Sequence, residues 1–301
     1  MYDQRKYRSP NEVSSFASQI LDWLEPLVCF AYRLPVHTES GAIQSTIPTL
    51  RGVWGRALHL LDKDLYNEVF EGSNSEKEKT PTYIIRPCRE DTRSVEWIIW
   101  GKNAIKKIDR LRRAWDIAGG MGLGEHRTPF VVENFLPLPS VGQDYFSVSE
   151  MGLQNDTESP ERSPCRILFP YSVRLMRHSK LLVSPTFSDL VEAAFFRLAP
   201  LVAEAKDMTK AHRPRELWPD FAEAAIALAS TTPSLSWQGD RVTLERYSGR
   251  QKREVQQQCI TGHLELPNGL GPLWPLFLAA TVFHLGKSTV MGLGRVVLLT
   301  R

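Results

Sequence analysis

Apolar and polar residues alternate along this chain with two different periods, and the switches between them outline its elements. Leu27 to Leu34 is mostly apolar and aromatic, which predicts a buried strand. After a loop from Pro35 to Pro48, the apolar positions Leu50, Val53/Trp54, Ala57/Leu58 and Leu61 recur at helical spacing and predict an amphipathic helix. Gly52 and Gly55 weaken it, a cost that makes sense where another backbone or a phosphate comes close. Thr82–Pro87 and Val95–Trp100 predict two strands, and the stripe Ile105, Ile108, Leu111, Trp115 predicts a helix over Lys102–Trp115. A glycine turn, Gly119–Gly124, and a strand over Thr128–Phe135 follow. The order strand, helix, strand, strand, helix, strand suits a split β-α-β, ferredoxin-like domain.

Pro137 to Pro164 breaks the periodicity with Pro, Ser, Asp and Glu, and then the pattern restarts. Arg166–Phe169 predicts a strand, Ser188–Ala203 a helix, Arg241–Glu245 and Thr261–Leu266 two strands. Leu270–Phe283 predicts a helix interrupted early by Pro275, and Val296–Leu299 a last strand. The expected architecture is α+β: tandem ferredoxin-like domains at residues 1–140 and 165–301, joined by a linker at 141–164.

Composition narrows the class. The 301 residues are 42% hydrophobic and 24% charged, which excludes disordered, collagen-like and coiled-coil chains. No run approaches the roughly 20 apolar residues of a membrane span, and the N-terminus carries no apolar signal core. The expectation is a soluble cytoplasmic protein without a membrane partner. Cys29, Cys88, Cys165 and Cys259 have no paired spacing, so they read as reduced and buried. Net charge is only +3, but six basic residues against one acid crowd Lys102–Arg113, and four crowd Arg246–Arg253. Such clusters suit a phosphate backbone or, equally, solvated faces.

Common catalytic templates are missing. Gly286-Lys287-Ser288 lacks the glycine a P-loop needs five positions earlier, where Thr281 stands. Gly120-Met121-Gly122-Leu123-Gly124 has the wrong spacing for a dinucleotide fingerprint. The histidines (His37, His59, His126, His178, His212, His263 and His284) show no metal-ligand spacing, and no cofactor is expected. What remains is the C-terminal stretch His284 to Arg295. Its glycines Gly286, Gly292 and Gly294 let backbone N–H groups face an anion, while Lys287 and Arg295 add charge. A tight turn before the final strand is the plainer reading.

At this stretch the chain resembles the CRISPR-associated precursor-crRNA endoribonucleases of the RAMP superfamily, whose mark is a glycine-rich loop near the C-terminus. Leu50-Arg51-Gly52-Val53-Trp54-Gly55 is similar to the family's Leu-Arg-Gly-x-x-Gly helix, and Tyr66 with Phe70 to its Tyr-x-x-x-Phe element. Gly122 to Phe130 is similar to a Gly-x-Gly-x-x-Arg-x-x-Phe turn, and Arg246-Tyr247-Ser248-Gly249-Arg250-Gln251 to an Arg-Tyr-Ser-x-Arg-Gln stretch.

The resemblance implies two ferredoxin-like domains facing a basic cleft and metal-independent cleavage of CRISPR repeat RNA by 2′-hydroxyl attack, leaving a 2′,3′-cyclic phosphate. A proton acceptor, a proton donor and cations are then required. His37 is the first catalytic candidate, placed at the start of the loop after the first strand, where an ordinary imidazole titrates in a useful range. His284, Arg250 and Arg51 are further catalytic candidates. Expected RNA contacts are Arg33, Lys102, Lys106, Lys107, Arg110, Arg113, Arg127, Arg246, Gly286, Lys287, Gly292, Gly294 and Arg295. The implied partners are the precursor crRNA with its repeat hairpin and other CRISPR effector subunits. A non-catalytic RNA-binding subunit of the same fold is the alternative.

Overall fold

A computed structural model describes residues 10–38, 41–42, 47–71, 80–89, 91–138, 145–147, 161–208, 214–248 and 253–300. The chain forms two compact units. One comprises Leu27–Phe146 with Val290–Gly292; the other comprises Met1–Pro26, Ser147–Thr289 and Leu293–Arg301.

Helix α1 (Pro10–Leu24) has no counterpart among the elements read from the sequence, and it belongs to the second unit, unlike the division at residue 140. Aromatic packing explains this: Trp23 lies 5.7 Å from Phe195 and 5.9 Å from Phe221, and Phe16 lies 5.8 Å from Phe221.

The first unit begins with β1 (Val28–Thr38) and β2 (Gly41–Ala42), followed by α2 (Ile47–Leu61), α3 (Lys63–Tyr66) and a wide helical turn at Asn67–Glu71. Next come β3 (Tyr83–Pro87), β4 (Ser94–Trp100), α4 (Lys102–Lys106) and α5 (Ile108–Met121). Short strands β5 (Val131–Val132), β6 (Leu136–Pro137) and β7 (Tyr145–Ser147) complete it. The sheet runs β3-β4-β1, with β5, β6 and β7 also paired to β1. This is the ferredoxin-like order. Tyr32, Leu34 and Val36 of β1 join Trp54 and Trp115 of α2 and α5 in one core, where those two indoles stack at 5.7 Å.

Three details differ from the sequence reading. The basic helix breaks at Lys107, whose φ of −110° and ψ of 22° end α4 before α5 starts. Gly119 and Gly120 continue α5 instead of forming a turn, and Gly119 is needed because a Cβ there would meet the Phe130 carbonyl at 2.3 Å. The expected strand Thr128–Phe135 is an isolated Leu123–Thr128 bridge plus β5 and β6. Pro129, having no N–H to donate, interrupts the ladder.

The second unit repeats the plan with β8 (Cys165–Val173), a small hairpin of β9 (Met176–Arg177) and β10 (Lys180–Leu181), α6 (Phe187–Ala205) and α7 (Ala222–Thr231). It closes with β11 (Gln238–Ser248), β12 (Arg253–Leu266), α8 (Trp274–Phe283) and β13 (Val297–Thr300). Its sheet order is β11-β12-β8-β13, again ferredoxin-like and antiparallel. Thr186 and Asp189 form a reciprocal cap at the start of α6. β11 and β12 are far longer than the expected strands. Their outer parts include Gln256-Gln257-Gln258, where the hydrophobic alternation that reveals a strand is absent.

Candidate functional site

His37 is part of β1, not of the loop after it. Its backbone pairs with Ala42 of β2 and with Val131 of β5, so short strands clamp the residue on both sides. The alternation of β1 puts Leu34 and Val36 into the core and leaves Arg33, Pro35 and His37 on the opposite sheet face. The side chain of His37 is 38% exposed, with Nε2 3.4 Å from Oε1 of Glu133, a residue that no motif or spacing singles out. A partly open imidazole beside a carboxylate can exchange a proton at its other nitrogen.

Arg33 faces Glu96 across β1 and β4. Glu96 also accepts a 2.5 Å bond from Nε of Arg86, and both of those side chains are buried, 6% and 7% exposed. Arg33 therefore belongs to a charged row that crosses three strands of the first sheet.

Arg51 has a packing role. Its Nε donates to the Tyr83 hydroxyl at 2.6 Å, and its guanidinium lies 4.2 Å from the Phe70 ring centre. Burial pushes the Tyr83 hydroxyl up, so it remains a neutral partner. Tyr66 stacks on the other side of this cluster, 5.0 Å from Phe70, and Gly55 gives the Phe70 ring its room, since a Cβ would sit 2.3 Å from it. The Leu-Arg-Gly-x-x-Gly and Tyr-x-x-x-Phe motifs are thus two halves of one aromatic clasp.

The basic helix is partly committed to acids. Arg110 pairs with Asp62, and Lys107 lies 3.9 Å from Glu68. Lys102, Lys106 and Arg113 are exposed. Arg127 is exposed at the tip of a turn, with φ of 48°. Gly122 permits that turn, because a Cβ on it would meet the Arg127 carbonyl at 2.1 Å.

In the second unit, the stretch after α8 is held from several directions. The buried Arg197 donates from Nε to the Phe283 carbonyl at 2.8 Å, and burial pushes its guanidinium down to about 10. His284 is fully buried at φ 62°, and its Nδ1 donates to the Leu293 carbonyl at 2.8 Å. That geometry makes His284 a pin for the stretch instead of a solvent-facing acid or base. The Lys287 N–H donates to the Arg174 carbonyl, and the Gly294 N–H to the Ser172 carbonyl, each at 2.9 Å. Gly286 and Gly294 both have positive φ, and Cβ atoms there would strike the Arg174 and Leu285 carbonyls at 2.5 and 1.9 Å. Gly292, counted with the first unit, sits against the Ile85 carbonyl of β3. Lys287 is exposed, whereas Arg295 is buried. Arg246 lies near the end of β11, but its side chain and all of Arg250 lie outside the described residues. Among the described residues no three His, Cys, Asp or Glu side chains gather as metal ligands, and no helix is long and apolar enough to cross a membrane.

Residues 164–296 match the sequence profile of the CRISPR-associated endoribonuclease Cas6 family. No curated protein sequence matches the chain. Its fold is shared with Cas6 from Thermus thermophilus, at a TM-score of 0.57 and 13% identity, over 91% of this chain and 99% of that one. A Cas6 product complex aligns at a TM-score of 0.56 and 15% identity, over 91% and 100% of the two chains. A Cas6 substrate-mimic complex aligns at 0.52 and 14% identity, over 90% and 99%.

Proposed function

From the premise that residues 164–296 match the Cas6 endoribonuclease family and that the chain shares its tandem ferredoxin-like fold, we propose that this protein cuts CRISPR repeat RNA in precursor crRNA, with His37 as a proton-transfer group. The supporting observation is the placement of His37: partly exposed near the end of β1, paired to β2 and β5, with Nε2 3.4 Å from the Glu133 carboxylate.

The 2′-oxygen beside the scissile phosphate attacks phosphorus and gives up its proton, while the bond from phosphorus to the 5′-oxygen breaks and that oxygen gains one. The products are a 2′,3′-cyclic phosphate and a 5′-hydroxyl. His37 serves one of these two proton transfers, with Glu133 on Nε2 leaving Nδ1 for the RNA. The sequence provides cations for the phosphate backbone in Arg33, the exposed Lys102, Lys106, Arg113, Arg127 and Lys287, and Arg246 and Arg250. The chemistry calls for no metal or cofactor. The mature crRNA stays bound through its repeat hairpin and carries the protein to other effector subunits in the cytoplasm.

Incubation of the purified chain with end-labelled repeat RNA in EDTA tests this reading. A single cut ending in a cyclic phosphate is expected, and a shifted but intact band would identify a non-catalytic RNA-binding subunit instead. Replacement His37→Ala is expected to slow single-turnover cleavage roughly a hundredfold, the weight of a lost general acid or base, with binding nearly intact. A wild-type rate would take His37 out of the site.

A further inference from the structure

Two exposed apolar side chains flank candidate residues of β1, one at His37 and one four residues earlier at Arg33. Val131 is 63% exposed and Leu136 44%, and both stand among the few large hydrophobic residues so open to solvent in the described chain. Single exposed aliphatics need no explanation, but the register of these two is specific. Val131 pairs directly with His37, and Leu136 directly with Arg33. Directly opposed residues project from the same sheet face. Their neighbours confirm the sense: Val132 packs on the core, and Tyr32, opposite Pro137, is fully buried. Val131, Leu136, Arg33, Pro35 and His37 therefore share the face turned away from α2 and α5.

On that face Val131 flanks His37 and Leu136 flanks Arg33, with the Glu133 carboxylate between them on the imidazole, so each apolar side chain adjoins a group suited to a phosphate, as bases adjoin phosphates along a ribonucleotide chain. From this juxtaposition we infer that Val131 and Leu136 form a docking strip for the bases flanking the scissile phosphate. The inference rests on the cleavage reading and adds to it the part of the substrate that sets the register of the cut. Bases splayed from a single strand are held by packing on side chains as well as by their hydrogen-bonding edges. The strip commits to a nucleobase because it adjoins His37 and Arg33, whose chemistry suits the phosphate between such bases. Short strands β5 and β6 hold both side chains by their backbones, so the strip is present before RNA arrives.

The test compares wild type with the double variant Val131→Ser, Leu136→Ser on two RNAs, one an intact repeat and one abasic at the nucleotides flanking the cut. Both side chains are exposed, so an unchanged melting temperature is expected. On intact RNA the double variant should lose roughly tenfold in single-turnover kcat/KM, the scale of a few lost methylene contacts. On abasic RNA wild type should fall to the same level, and the variant should fall no further. Val131→Ile with Leu136→Met should restore the intact-RNA rate. Affinity for a repeat carrying a 2′-deoxy block at the cut provides a second reading that does not depend on catalysis, with the same pattern expected.

Equal rates and affinities for variant and wild type overturn the strip while leaving the cleavage reading in place. An equal loss on intact and abasic RNA also overturns it, because the lost contact is then not with a base. If wild type binds the blocked repeat but cuts nothing, the cleavage reading falls, and the affinities alone decide the strip. Failure of wild type to bind the repeat removes both.

Discussion

Both sheets place an arginine of the first strand opposite a glutamate of the third, yet the two pairs live in different surroundings. In the first unit Arg33 stands opposite Glu96, and Arg86 on the next strand bonds that carboxylate, with both Arg86 and Glu96 buried. In the second unit Arg166 binds Glu265 with Nε at 3.0 Å, while both side chains remain partly open and His263 lies 3.8 Å away. Desolvation together with the neighbouring charge of Arg166 holds the His263 imidazole below its ordinary range. One strand order thus carries one charge pairing at two depths. Burial decides what that pairing is worth, because removing one partner of a buried pair strands the other, whereas an open pair is replaced by water.

The largest effect expected from this contrast is in the first unit. Glu96→Leu should cost about 3–5 kcal/mol, the scale for breaking a buried ion pair, read as an earlier urea transition in tryptophan fluorescence. A loss below about 1 kcal/mol would show that solvent reaches the row.

Glycines provide the next comparison. Gly294→Ala puts a Cβ against the Leu285 carbonyl at a φ of 75° and should cost about 2–3 kcal/mol. Gly52→Ala, helical and with nothing within 4 Å, should instead stabilise by about 0.5–1 kcal/mol. Thermal melts of the two variants should move in opposite directions.

The open pair of the second unit gives a smaller effect. Glu265→Gln should cost no more than about 1 kcal/mol in the same unfolding assay, and a loss matching that of Glu96→Leu would erase the distinction between the units.

The smallest effect depends on pH. The Asp62 carboxyl caps α3 by accepting from the Leu65 N–H at 3.0 Å, and that bond, with Arg110, holds it below the usual carboxylate range. Because its folded value is depressed, its contribution is complete above the ordinary carboxylate range near pH ~4 and fades as pH falls through the folded value. Asp62→Ala should therefore cost about 1 kcal/mol at pH 7, shrinking below about pH 4 as the wild-type carboxylate protonates. A difference that stays constant through acid would assign the effect to something other than the charged cap.

Much of the fold was legible wherever one face of an element is buried. The stripe through Leu50, Trp54 and Leu58 and the alternation through Leu34 and Val36 announced α2 and β1, since burial on one side leaves a periodic trace. Where burial is weak the trace fades, which is why the Gln-rich part of β12 was missed. The candidate site was less legible. His37 could be selected by residue type, but Glu133, Val131 and Leu136 could not, because their significance comes from register across strands. Arg51 and His284 are residue types suited to catalysis whose described contacts are a cation–aromatic packing and a buried bond to the Leu293 carbonyl, neither of which residue type announces.

By itself, then, the order of residues determined the two-part α+β plan, the positions of most helices and strands and the glycines that sharp turns require, since these follow from local sterics and the periodicity of burial. Only the tertiary structure decided which charges are buried or open, that α1 packs with the second unit, and which apolar residues stand beside His37 and Arg33. Those outcomes depend on strand pairing between residues distant in the chain, and such pairing leaves no mark in local sequence until the sheet has formed.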